Sequence, residues 1–190
     1  MRKRLRLSVL IAIGLLIVAA IVIPSWLRSR MQGGEAPAIG DARSVLSAEE
    51  VYASSNGGFY DELGCLAAPA SCIPGYPTNG PPFLDLDLAS LRTRSGYVRR
   101  FHPGPKPSAE EIATAKASPS SLRGFAYVLV PTKSGETGVR AFCIDHTGVI
   151  CYTPDGAMPD ITDGRCPPSV QSIQEGRGQE TRPPGCVLLQ

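Results

Sequence analysis

The sequence predicts an α+β chain: one long N-terminal helix, its first half in a membrane, packed by its outer half on an antiparallel sheet of three or four strands. Three observations carry this. Residues 7–26, LSVLIAIGLLIVAAIVIPSW, hold no charged side chain. Downstream of them apolar residues recur every three or four positions, the period of a helix face. Later, three runs rich in β-branched and aromatic residues are separated by short turn sequences, the pattern of hairpins.

The N-terminus comes first. Arg2, Lys3, Arg4 and Arg6 form a basic stub (1–6) ahead of the apolar run. Twenty residues at ~1.5 Å each reach roughly 30 Å, the thickness of a hydrocarbon core, and a helix satisfies its own backbone there. A cleaved secretory signal has a shorter apolar region, ~7–15 residues, ending at a small-x-small site. Pro24-Ser25-Trp26-Leu27-Arg28 offers no such site. Four basic residues before the span against Arg28 and Arg30 after it place the N-terminus in the cytoplasm, and Trp26 stands where an interfacial aromatic belongs. Gly14, Ala12, Ala19 and Ala20 would let another helix approach closely.

Residues 27–55 continue the helix in amphipathic form. Ile39, Ala42, Val45, Leu46, Val51 and Tyr52 make one apolar stripe, with Arg43, Glu49 and Glu50 on the other side. Gly33, Gly34 and Pro37 argue for a kink or break within a helix running from about residue 5 to 53. Ser54-Ser55-Asn56-Gly57-Gly58 stops it.

The globular domain is expected over 56–153. A glycine- and proline-rich loop runs to about residue 80. LDLDLASLR (84–92) alternates like a strand, yet Leu84, Leu88 and Leu91 also fit a short helix. GYVRRFH (96–102) reads as a strand with Tyr97, Arg99 and Phe101 on one face. Ser108-x-x-Glu111 is a capping-box spacing at the start of a short helix. GFAYVLVP (124–131), TGVRAFCI (137–144) and TGVICYT (147–153) form two hairpins. The core is expected to join Ala42, Val45, Leu46 and Tyr52 to Tyr127, Leu129, Phe142 and Val149. Residues 154–190 form a tail without periodicity.

All six cysteines, Cys65, Cys72, Cys143, Cys151, Cys166 and Cys186, follow the apolar run. An even number in a small exported domain indicates disulfides in an oxidising compartment. Fifteen pairings exist. Chain order suggests Cys65–Cys72, Cys143–Cys151 and Cys166–Cys186, the second as a cross-strand pair.

A basic stub, an apolar helix continuing into an amphipathic one, a loop, a small antiparallel sheet and a disulfide-tied tail resemble the type IV pilin and type II secretion pseudopilin family. The stretch IVIPSWLRSRMQGGEAPAIGDARSVLSAEEVYASSNGGFY is similar to the region where the family's membrane helix ends and its globular domain begins. SGYVRRF and GVRAFCIDHTGVICY are similar to its Ser-Gly-Tyr strand and its hairpin. The similarity covers about residues 5–60 well and 95–153 loosely. It implies a pilin-like fold and a non-enzymatic structural component of a pilus or secretion assembly. It also implies a single-pass protein of the bacterial inner membrane with its domain in the periplasm or otherwise outside the cytoplasm. Its partners would be the membrane, other pilin or pseudopilin subunits and their inner-membrane assembly platform. Arg2, Lys3 and Leu7 stand where the family has the glycine, phenylalanine and glutamate of its cleavage motif, which implies an uncleaved protein. The alternative is a membrane-anchored exported binding domain that kept this fold and does not polymerise.

Other chemistry is sparse. A net charge of +2, with the basic residues gathered at the N-terminus, gives no electrostatic footprint for nucleic acid. His102 and His146 are the only histidines. Cys143-x-x-His146 with Cys151 falls short of the four well-spaced ligands of structural zinc. Asp145-His146-Thr147-Gly148 reads as a turn. Asp155, Asp160 and Asp163 are candidate calcium ligands, the resemblance pointing to a comparable C-terminal loop, but they match no defined motif. Asp85 and Asp87 flank leucines as a solvent face. With no phosphate loop and no serine nucleophile motif, neither an enzyme nor a cofactor is expected.

Overall fold

The computed structural model describes residues 2–168 and 186–189, and the side chains of the first helix continuously only from Gly34 onward. The chain is α+β. Helix α1 runs from Arg2 to Ser55, followed by α2 (Leu63–Ala67), a 3₁₀ turn at Pro69–Ser71 and α3 (Leu86–Ala89). Strand β1 (Tyr97–Pro103) precedes α4 (Ala109–Ala115), and β2 (Phe125–Pro131), β3 (Ala141–Asp145), β4 (Ile150–Thr153) and β5 (Val187–Leu188) complete the sheet.

Five strands in the order β1-β2-β3-β4-β5 pair antiparallel, more than the three or four expected. The fifth is two residues of the tail, too short to read from alternation. Among the described residues, no helix is long and apolar enough to cross a membrane. The run 7–26 that carries the membrane expectation has most of its side chains outside them.

α1 is one continuous helix, not two halves broken near Gly33. Gly34 has a different task. A Cβ there would lie 2.2 Å from the Thr137 carbonyl oxygen and 2.9 Å from that of Ser95, so the glycine lets the helix backbone press on two loops. At the other end Gly57 takes a left-handed φ of 65° and Gly58 donates to the Ala53 carbonyl at 2.8 Å, which ends the helix.

The sheet is covered on both faces. On the inner one Tyr97, Phe125, Tyr127, Leu129, Phe142 and Ile144 pack against Ala38, Ala42, Val45 and Tyr52 of α1, with Leu63, Leu66, Leu84 and Leu88 closing the side. Leu46 is half-buried against this core, whereas Val149 and Val51 are exposed. Val149 belongs to the β3–β4 turn, beyond the helix's cover, and Val51 lies a quarter-turn off the buried stripe. Outside, Ala126, Val128, Cys143 and Cys151 form a smaller cluster with Cys186 of the tail, flanked by Ile161, Cys166 and Leu188.

The short elements follow their local chemistry. The ambiguous 84–92 segment resolves as helix α3, with Asp85 Oδ1 accepting from the Leu88 amide at 2.9 Å as its N-cap. The capping box at Ser108 and Glu111 forms in both directions.

Candidate functional site

The residues with unusual environments gather along one seam, where α1 meets the sheet and its loops. Positions 35, 38, 42, 45, 49, 52 and 56 recur at alternating steps of three and four, and all are buried. Two of them are acids, Glu35 and Glu49.

The first station is Glu35. One carboxylate oxygen accepts from the Val139 and Arg140 amides at 3.0 and 3.1 Å, the other from Arg140 Nε and Nη2 at 2.9 and 2.6 Å. Burial alone would raise this carboxyl, but the Arg140 side chain and the two amides outweigh it and hold it below the ordinary range. Arg140 in turn lies over the rings of Phe142 and Tyr152, 5.5 and 4.9 Å from their centroids. This pair fixes α1 to the start of β3.

The second station is Asp41, 3.7 Å from Arg99 Nη1. Arg99 is buried on the inner face of β1, where its Nε donates to the Arg92 carbonyl at 2.6 Å and Nη2 to that of Asp87 at 3.1 Å. Burial raises the Asp41 carboxyl, and Arg94 and Arg99 only partly offset this.

The third station lies beneath the end of the helix. Sequence reasoning put Glu49 on the exposed side; it is fully buried. The reason is its place in the stripe, three residues before Tyr52, where a longer apolar side chain would otherwise stand. Its Oε2 accepts from the Asp61 amide at 3.3 Å, and its Oε1 has no partner. Tyr52 donates its hydroxyl to Asp61 Oδ2 at 2.8 Å. Burial, with the Asp61 charge beside it, pushes the Glu49 carboxyl well above the ordinary range despite the Asp61 amide. Next to it Asn56 accepts from the Ser118 amide and donates to Ser121 Oγ and the Phe59 carbonyl, tying the helix end to the segment before β2.

Two disulfides differ from the expected pairing. Cys65–Cys72 forms as predicted, but Cys143 joins Cys166 and Cys151 joins Cys186. Cys143 and Cys151 do sit opposite each other in the ladder. Both project from the outer face, where Cys166 and Cys186 supply each with its own partner. Asp145 reinforces the arrangement, accepting from the Thr147 amide and hydroxyl within the turn and from the Cys166 amide at 2.9 Å.

The calcium candidates are not brought together among the described residues. Asp155 is exposed and its carboxylate takes the Ala157 amide, Asp160 is exposed, and Asp163 occupies a left-handed turn position. The one group with metal-like spacing among the described residues is Asp61 with Cys65 and Cys72, whose sulfurs are joined to each other. Cys143 and Cys151 are likewise oxidised, which leaves His146 packed on the Tyr60 ring at a 6.0 Å centroid distance. Asp85 and Asp87 are exposed, as expected.

An open groove of about 680 Å³ follows the seam on the outer side of α1, between Arg43, Ser47 and Val51 of the helix and Pro81, Pro82 and Phe83 of the loop. The chain matches no family model, no curated protein and no solved structure. The missed acids had a legible signal: Glu35 and Glu49 fall on the 3.5-residue stripe that the apolar residues already define.

Proposed function

We propose that this chain is a pilin-like membrane protein, a structural component of a type IV pilus or type II secretion assembly in the bacterial inner membrane. The supporting observation is the uneven use of α1. From Glu35 onward one face of the helix is buried against the sheet, whereas Ile13, Leu16 and Val18, on the part before it, stand exposed at 48%, 70% and 57%. Large apolar side chains exposed along one helix need lipid or another helix as their surroundings. The first part of the helix is then the anchor, with the basic stub in the cytoplasm, and the sheet domain lies in the periplasm.

Arg2, Lys3 and Leu7, in place of the cleavage motif, favour a second reading: an anchored exported binding domain that does not polymerise. In-cell crosslinking followed by mild-detergent pull-down from native membranes separates the two. Recovery of pilins, pseudopilins or their membrane platform supports the assembly reading. Recovery of the protein alone, or with unrelated envelope proteins, overturns it.

A further inference from the structure

We propose that Glu49, Asp61 and Tyr52 form a proton-operated latch: the Glu49 carboxyl docks in its protonated form, and loss of that proton frees the 59–85 loop from α1. The argument starts from geometry. Glu49 is fully buried with one carboxylate oxygen unpartnered, and its other oxygen accepts one long bond from the Asp61 amide. A bare carboxylate so placed leaves most of its lone pairs empty and its charge unsolvated. A protonated one carries no charge to be solvated, so the same burial costs it far less.

Among the described residues, no neighbour of Glu49 adds a positive charge. The ionisable groups facing Glu49 are Asp61 and Tyr60 from the loop and Tyr52 from its own helix. His146, from the β3–β4 turn, reaches the Tyr60 ring. The Asp61 carboxylate is already engaged, taking the Tyr52 hydroxyl at 2.8 Å and the Glu62 amide at 2.8 Å. A second negative charge beside it would be repelled, and the carboxyl that gives way is the unpaired one.

The loop is what the latch holds. Asp61 leads directly into α2 and the Cys65–Cys72 disulfide, while the Tyr52 ring meets Phe83 edge-on at 5.4 Å. Phe83 lines the open groove along α1, so the same cluster sets the shape of that groove. A group whose folded-state pKa is raised stabilises fully below its ordinary range, about 4.5, and that stability is lost as pH rises from there through the folded value. The latch is therefore closed in acid and opens toward alkaline pH.

The test uses the full chain in detergent micelles. Thermal unfolding of wild type and of Glu49→Gln is followed by tyrosine near-UV dichroism from pH 5 to 9. The glutamine mimics the protonated acid, and all other titrations are common to both proteins. We expect the variant to gain on wild type by about 3 °C or more across that range, with Asp61 amide exchange accelerating only in wild type. A difference that does not change with pH overturns the latch. Should the variant fail to fold, infrared titration of the wild-type chain decides. A buried carboxylic-acid band that persists at pH 7 and bleaches as the Asp61 amide opens supports it. A band already lost at pH 5 overturns it.

Discussion

The two faces of the sheet are closed by different physics. On the inner face a helix supplies apolar side chains, and Glu35 on the same stripe fixes its position through Arg140. On the outer face two disulfides tie Cys166 and Cys186 to a small cluster in which three of the five buried residues are themselves cysteines, Cys143, Cys151 and Cys186. The helix brings its own hydrogen bonds, so it can cover a wide surface by burial alone. Described segments with little regular structure, such as 154–168, must be ordered residue by residue, and cross-links that restrict the unfolded chain offset that cost.

The sharpest way to break the inner face is Phe142→Ala. Phe142 is fully buried between α1 and the ring of Tyr97, 6.0 Å away, and its loss should cost about 3–5 kcal/mol in urea unfolding. On the outer face, replacing Cys151 and Cys186 together by serine removes a link spanning 35 positions, expected to cost about 3–4 kcal/mol. The two should also differ in kind. Reducing agent should abolish the second effect by bringing wild type down to the variant, and should leave the first as a difference between reduced proteins. An equal response of both pairs to reductant would remove the distinction between the faces.

Gly34→Ala comes next, at about 2 kcal/mol, because the added methyl meets backbone oxygens that cannot swing aside. An unchanged urea midpoint would show that the helix does not press on the 95 and 137 loops. Glu35→Gln is expected to be smallest, about 1 kcal/mol at pH 7, since the amide oxygen can still accept from the Val139 and Arg140 amides. Its folded carboxyl is held low, so its contribution is present above the ordinary range and lost as pH falls through the folded value. Wild type and variant should converge as pH falls below the ordinary carboxylate range. Midpoints that stay equally separated from pH 7 to pH 3 would refute the charged role.

This contrast also separates what was legible in the sequence from what was not. Helix α1, the β2–β3–β4 meander and the Ser108 capping box follow from local periodicity and local hydrogen bonding, and all were readable. The 3.5-residue stripe is legible through its apolar members, whereas the charges of Glu35 and Glu49 point to solvent although both are buried. Charge is a poor guide to burial where a backbone amide or an arginine from a distant loop supplies the partner. The disulfide pairing failed for a related reason. Chain order favours near neighbours, and nothing local to residues 143–151 announces that the tail returns across the sheet. Strand β5 was invisible on the same ground, being two residues long and made only by that return.

The interleaved cysteines have a consequence for how the molecule is made. Chains emerge from the N-terminus, so Cys143 and Cys151 appear together before Cys166 and well before Cys186. They also face each other across a hairpin that closes in microseconds, far faster than disulfides form. An oxidant that arrives early therefore joins the two sheet cysteines to each other and leaves the later pair to close on itself. Thiol–disulfide exchange is then needed to reach the native bridges, at a rate set by access to buried sulfurs.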